Sequence, residues 1–103
     1  MTYVPNFKND DTELLFDVIL QLESKEDCYR FFEDICTFNE MHAIAQRLAI
    51  AKLLSENNTY QEIEGKTKAS TATISRINRF LKHGAGGYKA ALTKLTKSHN
   101  KEK

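Results

Sequence analysis

The 103-residue sequence predicts an all-α fold of about six helices that includes a helix-turn-helix. Three observations predict it. Apolar residues recur at three- and four-residue intervals, the spacing that lines one face of an α-helix. Residues suited to helix N-caps precede these runs. The chain has one proline, Pro5, and four glycines, three of them within positions 84–87. Few points remain at which helices would be broken.

The elements follow in order. Asp10, with Glu13 three residues on, resembles a capping arrangement. After it Leu14, Leu15, Val18, Ile19 and Leu22 share a helical stripe. Ser24 is the expected N-cap of a second helix, with Glu26 and Asp27 in its first turn, where carboxylates suit the helix dipole. That helix carries Cys28, Phe31, Phe32, Ile35 and Phe38. Asn39 is the expected cap of a third, which holds Met41, Ile44, Ala45, Leu48 and Ala51 and ends at Asn57-Asn58. Thr59 and Glu62 form a capping box for a short fourth helix reaching Thr67. Ser70 caps a fifth helix to about Lys82, with Gly84 as its C′ glycine. A sixth helix is expected from Tyr88 through Leu95, before a polar, frayed tail.

Length supports one domain, and apolar residues make up 41% of it, enough for a modest core. No apolar run is long enough to span a membrane, and the first residues do not resemble a signal peptide. Cys28 and Cys36 fit free buried thiols, so a cytoplasmic location is expected. The net charge of +1 conceals an asymmetry. Residues 1–58 carry −6 and residues 59–103 carry +7. A basic half beside an acidic half fits a polyanion partner, or attraction between the halves themselves.

The short helix, the turn of about three residues and the longer helix match the helix-turn-helix pattern. Ile63 is the expected core residue of the first helix, Ala69 closes the turn, and Ile74 and Ile77 hold the second helix. Two positions depart from the pattern. Glu64 stands where a small residue is usual. Lys68 stands where glycine with positive φ is usual, which costs on the order of 1 kcal/mol.

On a helical wheel at about 100° per residue, Ile74, Ile77 and Leu81 form the inner stripe, with Phe80 at its edge. The opposite face holds Thr71, Ala72, Ser75, Arg79 and Lys82. It is small and uncharged first, then cationic, as a helix entering the major groove requires. No acidic residue lies between Lys66 and Lys97. Arg76 sits beside this face, as a backbone clamp, an ion-pair partner for the third helix, or part of a ligand site.

The segments "LAIAKLL", "TYQEIEGKTKASTATISRINRFLKHG", "CYRFFEDICTFNEMHAIAQRLAIAKLL" and "GGYKAAL" resemble the tryptophan repressor superfamily, and within it a small orphan branch of repressor-like proteins. The likeness runs from about Leu14 to Leu92, and "ASTATISR" is its most specific part. The resemblance implies an intertwined homodimer. Residues 11–58 would be dimerisation helices, 59–83 the helix-turn-helix, 84–95 the C-terminal helix and 96–103 a flexible tail, all one domain over 1–103. The interlocked helices would account for the surplus of Phe16, Phe31, Phe32 and Phe38, which one narrow stripe does not accommodate.

The resemblance also implies roles for residues. Tyr60, Gln61, Thr71, Ala72, Ser75 and Lys82 match DNA-facing positions; the wheel adds Arg79, and Lys68 joins Arg79 and Lys82 as a phosphate contact. Arg76 matches an arginine of the corepressor pocket. The next family position is a glycine that admits the indole, and here it is Ile77. The second pocket arginine aligns with Gln46, next to Arg47. A tryptophan corepressor is therefore not expected, and the identity of any other corepressor stays open. The expected partner is a palindromic double-stranded DNA operator, and the expected activity is transcriptional repression.

Enzymatic chemistry is not expected. His42, His83 and His99 are far apart, and no metal-ligand motif or phosphate-binding loop is present. No cofactor and no metal site are called for. The alternative reading is a dimeric helical interaction module that docks an acidic protein on its basic face.

Overall fold

The chain winds into six α-helices, with no strand among the described residues. The structure is a computed structural model that describes residues 3–101, with side chains to residue 98. The helices are α1 (Asp10–Ile19), α2 (Lys25–Ile35), α3 (Phe38–Ser55), α4 (Tyr60–Thr67), α5 (Thr71–His83) and α6 (Gly87–Lys101). The side chain of His99 lies outside the described residues.

Hydrogen bonding at the helix ends decides the boundaries. The cap of α1 is Asn9, one residue before the expected Asp10. The Asn9 side chain accepts from the Thr12 N–H at 2.9 Å, and the Asn9 N–H donates to the Thr12 hydroxyl at 3.0 Å. Thr12 can reciprocate because it stands three residues after the cap. Asp10, Asp11 and Glu13 then fill the first turn, where the dipole favours them. The helix stops at Ile19, short of Leu22, whose N–H closes a turn onto the Ile19 carbonyl at 3.1 Å. Ser24 caps α2 as expected, accepting from the Asp27 N–H at 3.0 Å. Asn39 does not cap α3; the helix has already begun at Phe38. Asn57 ends that helix region in the left-handed conformation at φ 67°. Asn58 donates its amide to the Leu53 carbonyl at 3.0 Å.

Two compact units divide the chain, Met1–Phe38 and Asn39–Lys103. In the first, neither α1 nor α2 buries a residue. The Phe31 and Phe32 rings meet edge to face, with centroids 5.2 Å apart. Leu14, Phe16, Leu20, Tyr29, Ile35 and Phe38 remain exposed. Both cysteines are free thiols, but Cys28 is exposed and Cys36 half-buried, not the buried pair expected.

The second unit has a true core. Ile50 and Ala51 of α3, Ile63 of α4, Ile74 and Ile77 of α5 and Leu92 of α6 are buried together. Leu53, Leu54, Tyr60, Ala69 and Tyr88 pack around them. Each fully buried isoleucine contributes about 1.5–3 kcal/mol of hydrophobic stabilisation. This cluster joins α3, α4, α5 and α6 at one point, so it fixes the pose of the helix-turn-helix.

The end of α5 differs from the expected glycine cap. Gly84 takes φ −84° and ψ −154°, not the left-handed conformation. Glycine is still required there, because a Cβ would press into the Phe80 carbonyl. The left-handed glycine is Gly86, at φ 88°. The last helix then continues to Lys101, beyond Leu95, where the expected tail would start.

Candidate nucleic-acid interface

The turn between α4 and α5 is built from local chemistry. Thr59 and Glu62 form the expected capping box: the Thr59 hydroxyl accepts from the Glu62 N–H at 3.1 Å, and Glu62 accepts from the Thr59 N–H at 2.8 Å. The Thr59 N–H first, and then the Thr59 side chain, hold the Glu62 carboxyl below its ordinary value of 4.5, with Lys66 adding attraction. At the other end of α4, Lys68 adopts φ 65° and ψ 11°, the left-handed conformation expected of the glycine it replaces. Thr67 braces this strained residue from both sides. Its hydroxyl donates to the Ile63 carbonyl at 2.8 Å and accepts from the Ala69 N–H at 3.2 Å.

Ser70 then caps α5, accepting from the Thr73 N–H at 3.2 Å. The inner stripe is as expected: Ile74 and Ile77 are buried, Leu81 is half-buried and Phe80 stands half-exposed at the edge. The opposite face is exposed at Thr71, Ala72, Ser75, Arg79 and Lys82. The Arg79 guanidinium lies 5.6 Å from the Phe80 ring centroid, a contact that restricts where it swings. Among the described residues none of Lys68, Arg76, Arg79 and Lys82 forms an ion pair. Their charge is available to a polyanion.

Ala72, Ser75, Arg76 and Arg79 line one open depression of about 430 Å³ on this face. Arg76 is exposed there, beside the outward residues and not in the core. Of the other expected surface positions, Gln61 and Lys68 are exposed, while Tyr60 is half-buried against the core. The Tyr60 hydroxyl accepts from the Asn78 side-chain amide at 3.1 Å. That bond leaves the phenolic proton free to be donated outward.

Two of the four residues of the implied effector pocket turn inward to other uses. Ile77 is 5% exposed, so its side chain belongs to the core. Gln46 of α3 donates its amide to the Thr67 carbonyl at 3.2 Å, tying α3 directly to the turn. Arg47, next to it, is exposed.

Reading the sequence missed the Asn78–Tyr60 bond, the Gln46–Thr67 bond, the double use of Thr67, and a hydrogen bond from the Thr71 hydroxyl to the Glu64 carboxylate. Glu64 registers in the sequence only as the wrong residue for its position. Its partner lies seven residues on, across the turn, where helical periodicity carries no signal.

Known proteins share this sequence pattern and this fold. The model of the Trp repressor protein family matches residues 10–96. The uncharacterized protein YerC of Bacillus subtilis (strain 168) is 47% identical over 92 residues, which cover 89% of this chain and 88% of that protein. A crystal structure of a TrpR-like protein from Eubacterium eligens superposes with a TM-score of 0.83 at 47% identity, over 86% of this chain and 92% of that one. A candidate Trp repressor from Staphylococcus aureus superposes with a TM-score of 0.84 at 41% identity, over 93% and 96%. The helix-turn-helix, the acid-free face of α5 and these likenesses lead to one assignment: the chain belongs to the Trp repressor family of DNA-binding regulators.

Proposed function

We propose that the protein is a cytoplasmic transcriptional repressor that reads a palindromic double-stranded operator as a homodimer and does so without tryptophan. One observation carries the reading. The exposed face of α5 runs from Thr71, Ala72 and Ser75 to Arg79 and Lys82 with no acidic residue, at the outer side of a helix-turn-helix. Small residues admit the helix to the major groove, and the cations that follow neutralise phosphates. Tyr60, Gln61 and Lys68 flank this face as backbone contacts. The repressor sign of regulation is supported by family membership.

Dimerisation is supported by the first unit. Its two helices carry large apolar side chains and bury none of them. Such a surface calls for a partner, and a second copy supplies an identical one.

Independence from tryptophan is supported by Ile77 and Gln46. The branched side chain of Ile77 is part of the core where an indole would need space. Gln46 spends its amide on the Thr67 carbonyl and offers no charge to a carboxylate. Between them they hold the reading head by internal contacts. Calorimetric titration with tryptophan is expected to show no binding, and tight binding would overturn this part.

The central test is selection of bound duplexes from a random DNA pool. The expected result is an enriched sequence with two-fold symmetry, its half-sites about one helical turn apart. Recovery of no enriched sequence would sink the reading and favour a basic face that docks an acidic protein.

A further inference from the structure

The face that is otherwise free of acids has one carboxylate at its entrance. Glu64 sits on α4, one position after buried Ile63, and its carboxylate accepts a hydrogen bond from the Thr71 hydroxyl. Thr71 is the first residue of α5 and is exposed, so the pair lies at the amino-terminal end of the proposed reading helix. Among the described residues Glu64 has no cation within ion-pair distance, although Lys66 and Lys68 are its near neighbours in sequence. A carboxylate beside DNA phosphates weakens general affinity. Its use must come from something other than the backbone.

The hydrogen bond sets the polarity of both groups. A threonine hydroxyl has one proton to donate and two lone pairs. A carboxylate only accepts, so the bond must use the Thr71 proton. What remains unused is the oxygen of exposed Thr71 and the other carboxylate oxygen of half-buried Glu64, both acceptors. A base edge that presents acceptors, such as O6 and N7 of guanine or O4 of thymine, is repelled by such a pair. Adenine offers an amino group beside the N7 acceptor. Cytosine offers its N4 amino group with no acceptor next to it in the major groove.

We infer that Glu64 and Thr71 form an acceptor-only reading element that selects cytosine at one position of each half-site. The inference rests on the DNA-reading assignment above and deepens it. Glu64 is then a specificity residue that trades general affinity for base choice.

The test compares DNA-pool selection by the wild type, Glu64→Gln and Thr71→Val, with circular dichroism to verify that each variant keeps its helices. The wild type is expected to enrich cytosine at one position per half-site, and changing that base should weaken binding by roughly tenfold or more. In Glu64→Gln the amide oxygen still accepts from Thr71 while its NH2 group faces the groove as a donor. The preference for cytosine at that position should disappear, and adenine, which suits a glutamine amide, should be admitted. Thr71→Val should weaken the same preference at the same position. Binding of Glu64→Gln to unrelated DNA should rise, because a negative charge is gone. An enriched wild-type sequence that is unchanged in Glu64→Gln overturns the inference and leaves DNA reading intact. So does a responsive position where guanine or thymine leads. A wild type that enriches nothing removes the DNA-reading assignment and this inference together.

Discussion

Lys68 carries two consequences in one side chain. Its left-handed backbone costs on the order of 1 kcal/mol against glycine, and its cation stands just before α5, the proposed reading helix. Lys68→Gly should therefore raise unfolding stability by about 0.5–1 kcal/mol in urea denaturation. The same variant should bind DNA more weakly and with a shallower salt slope. Retained affinity in the stabilised variant would remove Lys68 from the phosphate contacts. Arg79 and Lys82 lack the backbone strain, so their substitutions isolate charge. Arg79→Ala or Lys82→Ala should weaken binding to all sequences and reduce the salt slope by about one ion each. An unchanged slope in either variant would exclude that residue. The strained backbone at Lys68 was legible in the sequence, because a non-glycine residue stood at a turn position that needs positive φ. The Glu64–Thr71 bond was not, because nothing in one-dimensional spacing brings those two residues together.

At the scale of the element, α4 is the weak link. Eight residues, one of them Gly65, do not form a stable helix in isolation. Its ends are closed by named contacts: the Thr59–Glu62 box at the start, and Thr67, Gln46 and the left-handed Lys68 at the finish. The Glu62 carboxyl is lowered in the folded state, so its contribution is complete above the ordinary value of 4.5 and is lost as pH falls through the folded value. Glu62→Gln keeps an acceptor for the Thr59 N–H but does not titrate. Its melting temperature should lie below that of the wild type at neutral pH, and the gap should close in acid, below pH 4.5. A gap that stays constant down to pH 3 would show that the charge of Glu62 contributes nothing. The other boundaries teach the same lesson about caps. Ser24, Thr59 and Ser70 were legible because each has a hydroxyl immediately before a helical run. Asp10 misled because Asn9 beside it forms the capping box, and Asn39 misled because the helix has already begun at Phe38.

The whole molecule divides its work between two compositions. Residues 1–58 carry net negative charge with a surplus of aromatic side chains, and residues 59–103 carry net positive charge. The second set shares a buried core with the end of α3, while α1 and α2 have none. An exposed leucine in a monomer changes stability by about 0.5 kcal/mol or less when replaced. If a second copy covers Leu14, Leu14→Lys should cost several times that, shift sedimentation toward monomer and reduce operator affinity. A wild-type protein that sediments as a monomer at micromolar concentration would contradict the dimer. If two copies read a palindrome, DNA affinity should depend on protein concentration for the same reason, since one copy would span only half of it.

The sequence by itself determined the helix count, the caps at Ser24, Thr59 and Ser70, the inner stripe of α5 and the acid-free outer face. These follow from local spacing and local hydrogen bonding, which a linear chain records. Only the tertiary structure decided that Gln46 binds the turn, that Asn78 orients Tyr60, and that Glu64 engages Thr71. Each of these joins two helices or crosses a turn. The partner is chosen by where packing of Ile50, Ile63 and Ile74 places the helices, and no local pattern encodes that distance.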